Sequence, residues 1–283
     1  MSKGFLVFAQ NSENGNYIQQ AYALALSIKI SQKTVRNISL VTNDIVPEEY
    51  KSVFDQIIEI PWATEDTNSR YKAEHRWKLY HVAPYDETIV LDADMLLLED
   101  ISTWWDQCSN YEINYCSRIK NYKLETVTDT FYRKTFIENQ LTSPYAALHY
   151  FKQCDTAYEF YKVLEFVCNN WEWCYDKFAP KEYQNCLSMD LATAIAIEIS
   201  GIYDCIDNCS PLEFIHMRPM LQGWDLISEH WQDAVPAALN SKGDLLVGNI
   251  KQSRIFHYME KDFLSKSILD KLEELYGKKE KNS

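Results

Sequence analysis

DETIVLDADMLLLED, residues 86–100, decides how this chain is read. Thr88, Ile89, Val90 and Leu91 make a continuous run rich in β-branched residues, the pattern of a strand buried on both faces. The run ends on Asp92 and Asp94 with Ala93 between them, and four more apolar residues follow, Met95 to Leu98. An ionised carboxylate buried without a partner is costly, so something is expected to compensate for this pair. In an extended strand, residues two apart point to the same side, which would turn both carboxylates toward one ion or one ligand. The opposing reading is two solvated or Lys-paired carboxylates at a strand end.

The segments upstream set this strand in a pattern. GFLVFAQ (4–10) reads as a buried strand and NSENGN (11–16) as a polar loop. In YIQQAYALALSIKI (17–30), apolar residues at 18, 21, 22, 25, 26 and 28 have helical spacing. NISLVTND (37–44) and QIIEIPW (56–62) are strands on either side of a short helix opened by Pro47, and residues 70–82 read as a helix. Strands alternating with helices in this way predict an α/β fold with βαβ units and a mainly parallel sheet flanked by helices. Ligands of such sheets bind outside the carboxyl ends of the strands. Ala9, Gln10 and Asn11 therefore belong on the same rim as Asp92 and Asp94.

Beyond residue 105 the pattern is less regular. Strands are predicted at 112–120, 145–153, 213–217 and 254–258, and helices at 155–171, 188–200 and 262–276. No repeat or linker divides the chain. One domain over 1–276 is expected, with a regular half (1–105), an irregular half (106–276) and a disordered tail at 277–283.

Composition excludes several classes. The net charge of −13 weighs against a general grip on nucleic-acid backbone, whose affinity comes from Lys and Arg. The seven glycines form neither G-x-x-x-x-G-K nor G-x-G-x-x-G, which disfavours a P-loop NTPase or a dinucleotide oxidoreductase. Any phosphate bound here would need a metal and basic side chains. The eight cysteines include no C-x-x-C pair, so zinc spacing is absent and reduced thiols in a cytoplasmic protein are expected. No stretch approaches the length of a membrane span, and the N-terminus lacks the marks of a signal peptide.

RWKLYHVAPYDETIVLDADMLLLEDISTWW (76–105) and the opening FLVFAQNSENGNY (5–17) together resemble the GT-A class of nucleotide-sugar glycosyltransferases. The nearest pattern is that of family 8, the glycogenin and galactosyltransferase-like enzymes, in a phage-type form. The resemblance covers about residues 4–105 and implies a GT-A (Rossmann-like) fold. It implies that Asp92 and Asp94 bind Mn²⁺ or Mg²⁺ bridging the diphosphate of a donor, UDP-sugar by default. Ala9, Gln10 and Asn11 would contact the base, Tyr17 would stack on it beside Asn16, and Arg76 would face the donor. Tyr17 reads equally as a core aromatic at a helix start, and Arg76 as a surface ion pair.

The family's third metal ligand is a late His followed by Gly and Lys. IFHYMEKDF (255–263) supplies His257, with the Gly missing and Lys261 only four residues on. His216, in FIHMRPMLQGW, is the rival ligand, and Arg218, Gln222 and Trp224 near it suit a sugar or phosphate pocket. SMDLATAIAI (188–197) places Asp190 at a helix start, where it reads either as an N-cap with Ser188 or as the catalytic or sugar-binding acid of the family. Met189 stands where retaining relatives carry an amide. The acceptor implied is a hydroxyl of a modified nucleic acid, a glycan or a protein. Two other classes compete. A haloacid-dehalogenase-like phosphatase also uses D-x-D at a strand end, but DADML lacks the Thr that normally follows. An inactive nucleotide-sugar-binding module fits the departures at Met189 and Lys261.

Overall fold

In the computed structural model, residues 1–13, 15–62, 73–127, 133–181, 187–217 and 231–282 are described. The first half runs β1 (Lys3–Phe8), α1 (Tyr17–Ser31), β2 (Ile38–Val41), α2 (Glu48–Lys51), β3 (Gln56–Ile58), a 3-10 segment (Ala73–Lys78) continuing into α3 (Leu79–Val82), β4 (Glu87–Asp92), β5 (Met95–Leu97) and α4 (Ser102–Cys108). The second half runs β6 (Ile113–Cys116), β7 (Arg118–Lys120), α5 (Lys134–Glu138), β8 (Tyr145–Lys152), α6 (Asp155–Asn169), α7 (Trp171–Phe178) and α8 (Met189–Ser200). It continues with β9 (Glu213–His216), α9 (Trp231–Ala234), β10 (Ala237–Leu239), β11 (Leu245–Val247), β12 (Ile250–Lys251), β13 (Ile255–His257) and α10 (Lys266–Asn282).

The central sheet has six strands in the order β3-β2-β1-β4-β8-β6. The first four are parallel, as the βαβ pattern requires, and β8 joins β4 antiparallel. Both faces of β1 and β4 are buried, which explains their unbroken apolar runs. One face packs on α1 and the other on α6 and α8. A second sheet, β5-β13-β9-β7, and a small antiparallel sheet, β10-β11-β12, build the irregular half.

Helix α1 is buried on almost every side from Ile18 to Ile28, more than its amphipathic spacing suggests, because β5 and α10 cover the side turned away from the central sheet. One of its buried polar groups, Ser27, ties it to the second sheet. Ser27 Oγ donates to Leu24 O at 2.7 Å and accepts from Leu97 N at 2.9 Å, which ties the helix to β5.

Three expectations change. The strand predicted at 112–120 is two strands: the pairing of β6 with β8 shifts at Tyr115/Cys116, and β7 then pairs with β9 in the other sheet. The expected helix 70–82 begins outside the described residues and is 3-10 as far as Lys78. The tail is not disordered, since α10 runs on through it to Asn282. Lys279 Nζ donates to the carbonyls of Ile30 and Gln32 at 2.7 and 3.1 Å, and Arg36 pairs with Glu280 at 2.9 Å. These bonds cap the end of α1 and order the segment. None of the helices, among the described residues, is long and apolar enough to cross a membrane.

His149 of β8, 7% exposed, stacks on Tyr115 at 4.7 Å with its Nδ1 against Ala146 O at 3.0 Å. Burial pushes its pKa down from 6.5 to about 4. The unfolded chain therefore binds a proton that the folded chain refuses, so stability is full above pH 6.5 and falls as the pH drops toward 4. The loss from this residue is about 3 kcal/mol. A His149→Phe variant is expected to lose that part of the pH dependence of its urea midpoint. A midpoint that falls between pH 6.5 and 4 as steeply as in the wild type would exclude His149 as the source.

Candidate active site

Strands β1 and β4 are parallel neighbours with Phe8 beside Asp92, so the chain leaves both at one rim. Beyond Asp92, Ala93 and Asp94 form a turn, and β5 departs to pair antiparallel with β13, Met95 opposite His257. Tyr258 N donates to Asp94 O at 3.1 Å and fixes that crossing. The alternation of an extended strand is therefore not what brings the carboxylates together. The turn does so, by carrying Asp94 from one sheet to the other.

The ligand-capable atoms of Asp92, Asp94 and His257 all lie within 4.8 Å of one another. Asp94 is 7% exposed. Its Oδ1 meets His257 Nε2 at 3.0 Å, and its Oδ2 accepts from Lys261 Nζ at 3.1 Å. Burial would raise the pKa of Asp94, but the His257 imidazole and the Lys261 ammonium outweigh it and hold the carboxyl well below its usual range. Burial likewise acts to lower the pKa of His257 and of Lys261, and Asp94 reverses it in both. Asp92 is paired with Arg76 at 2.5 Å. Arg76 thus spans from the 3-10 segment to the end of β4 rather than lying in a surface ion pair.

The donor set fits a divalent ion. Two carboxylates and an imidazole suit Mn²⁺, and the carboxylates also suit Mg²⁺. His257 Nδ1 is buried without a hydrogen-bond partner, so the ring has one nitrogen on Asp94 and one left over. His216 lies on the adjacent strand, with its ring 5.0 Å from that of His257 at 65°. It is not part of the cluster formed among the described residues. Arg218, Gln222 and Trp224 fall outside those residues.

The opposite side of the rim is the loop from β1 to α1. Ala9 is buried, with its N–H donating to Val41 O at 3.1 Å, and Gln10 has its Oε1 buried without a partner. Asn11 Oδ1 accepts from Ile18 N at 3.1 Å, and Asn16 Oδ1 accepts from Gln19 N at 3.0 Å. Both asparagines thus satisfy free amides at the start of α1. Asp44, which no motif singled out, accepts from the Asn11 N–H. Tyr17 opens α1, and Lys261 Nζ lies 4.5 Å from its ring centroid. A Cβ on Gly15 would meet Tyr17 and Lys261 at 3.3 Å each. The displaced lysine therefore bridges the two halves of the rim despite its altered spacing.

Asp190 sits in the first turn of α8 but does not cap it, and Ser188 at the N-cap makes no side-chain cap bond. The N-cap reading is corrected. Asp190 Oδ1 accepts from Ala146 N and its Oδ2 from Arg133 Nη1, each at 2.8 Å. Burial would lower the pKa of Arg76, but the paired Asp92 carboxylate, with smaller contributions from the charges of Asp94 and Asp190, raises it. Arg133 escaped the sequence reading because nothing in its spacing ties it to a carboxylate 57 residues away.

No protein-family model matches the sequence, and no curated protein does. Solved structures resemble the chain at low identity. The apo form of mouse xyloside xylosyltransferase 1 is 10% identical with a TM-score of 0.54, the match covering 92% of this chain and 98% of that one. The apo structure of the bifunctional glycosyltransferase WbbM is 11% identical with a TM-score of 0.51. That match covers 97% of this chain and 49% of WbbM, so this chain spans about half its length. The likeness is one of fold: the six-stranded, mostly parallel sheet flanked by helices is the GT-A arrangement.

The geometry separates the two histidines. His257→Ala is expected to weaken Mn²⁺ affinity at least tenfold, while His216→Ala changes it by less than about threefold. Electron paramagnetic resonance titration of free Mn²⁺ measures both. A larger loss in His216→Ala would exchange the two assignments.

Proposed function

We propose that this chain is a metal-dependent glycosyltransferase, nearest in pattern to family 8 and of phage type. It transfers a hexosyl or pentosyl group from a nucleotide-diphosphate sugar, UDP-sugar by default, to an acceptor hydroxyl. The observation that carries the reading is the convergence of Asp92, Asp94 and His257 at the carboxyl rim of a GT-A sheet, with Lys261 and Arg76 as their cationic partners. A phosphatase of the haloacid-dehalogenase type is not favoured, since the fold neighbours are glycosyltransferases. In addition, the first Asp is held by Arg76 instead of standing free as a nucleophile.

Asp92, Asp94 and His257 would hold Mn²⁺ or Mg²⁺, which when bound supplies Lewis-acid neutralisation of the departing diphosphate. Lys261 and Arg76 add fixed positive charge where negative charge develops, the main electrostatic task of the site. Tyr17 offers a ring to the base, next to the loop carrying Ala9, Gln10, Asn11 and Asn16. Asp190 faces the reacting sugar, and the site holds the acceptor hydroxyl near the anomeric carbon. The acceptor is a glycan, a protein or a modified nucleic acid, with the −13 charge weighing against duplex DNA. The cysteines among the described residues form no disulfide, which suits a cytoplasmic location.

Titration calorimetry with UDP is expected to show binding that requires Mn²⁺ and is lost in EDTA or in Asp94→Asn. Equal affinity with and without EDTA would defeat the proposal. Asp190→Asn keeps an oxygen for Ala146 N–H but loses the ion pair with Arg133. Its turnover is expected to fall about 10²-fold with donor affinity near wild type. Turnover within about threefold of wild type at saturating substrates would return Asp190 to a purely structural role.

A further inference from the structure

The surroundings of Asp190 are more elaborate than the start of a helix needs. Its carboxylate leaves α8 and takes the Ala146 N–H at the beginning of β8 on one oxygen and the Arg133 guanidinium on the other. Arg133 is itself enclosed. Its side chain is 12% exposed, and its guanidinium lies 3.5 Å from the centroid of the Tyr145 ring and 4.9 Å from that of Phe136. Stacking and pairing fix the plane of the guanidinium and therefore the direction of its N–H toward Asp190. An ion pair withdrawn partly from water, as this one is, is a poor way to gain stability, since well-packed apolar residues do as well or better. What such a pair supplies here is orientation.

On these grounds we infer that Arg133, seated on Tyr145, is a positioning residue that holds Asp190 in one orientation toward the reacting sugar. The inference rests on the glycosyltransferase reading and adds to it a residue outside the resembled motifs. An ionised carboxylate has about four lone-pair sites, so two remain on Asp190 once Ala146 and Arg133 are served. Asp190 therefore works as a fixed acceptor of hydrogen bonds from sugar or acceptor hydroxyls.

The test compares wild type, Arg133→Met, Arg133→Lys, Asp190→Asn and the Arg133→Met/Asp190→Asn double variant, using the nucleotide sugar that wild type turns over. Arg133→Met is expected to lower kcat at least tenfold, with Mn²⁺-dependent UDP affinity within about threefold of wild type. Arg133→Lys, which keeps the charge but not the planar stack, should recover part of the loss. The double variant should be no slower than Asp190→Asn alone, because both changes break one unit. Thermal melts identify a variant that fails to fold, and Arg133→Lys then carries the comparison. Wild-type kcat in Arg133→Met, or multiplied losses in the double variant, would overturn the inference and leave the proposed function standing. Absence of wild-type turnover with every nucleotide sugar would overturn both.

Discussion

The buried carboxylate of Asp94 is the constraint on which the rest of the structure depends. It sits in the turn that takes the chain out of the central sheet and into the second one, at a place where an uncompensated charge would cost several kcal/mol. Compensation comes from the far end of the sequence, through His257 and Lys261. The requirement to neutralise one side chain therefore specifies how the two sheets meet. The antiparallel pairing of β5 with β13 and the bond from Tyr258 N to Asp94 O enforce the same register through the backbone.

Around that point, charges of both signs alternate across the rim. Arg76 joins the 3-10 segment to Asp92, Lys261 joins the end of β13 to Asp94 and to the face of Tyr17, and Arg133 joins Asp190 to Tyr145. Each cation belongs to a different element from its carboxylate. A site of this kind has its donors and acceptors in place before a ligand arrives, which is the condition for electrostatic catalysis to proceed without reorganisation. The segment between β1 and α1 is held in a different way. Asn11 and Asn16 close the start of α1 with their side-chain oxygens, and α1 is held by β5, α10 and the central sheet. Both asparagines are thereby anchored to a helix that is buried along most of its length.

The sequence by itself determined the parallel half of the fold. Short apolar runs rich in β-branched residues read as strands buried on both faces, and their alternation with helical spacing points to a βαβ sheet with its ligand rim at the strand ends. It also supplied the paired acids at a strand end, and the family resemblance added the late histidine and the displaced lysine. The tertiary structure decided what depends on partners distant in sequence. The turn at Ala93–Asp94, not strand alternation, aims the two carboxylates, and packing against α1 orders a tail rich in lysine and glutamate. The choice of His257 over His216 follows from the register of β13 against β5, which no local periodicity encodes. The partners of Asp190 were invisible for the same reason: a helix-start acid reads as a cap or as a site acid alike until folding brings the N–H of Ala146 and the guanidinium of Arg133 beside it.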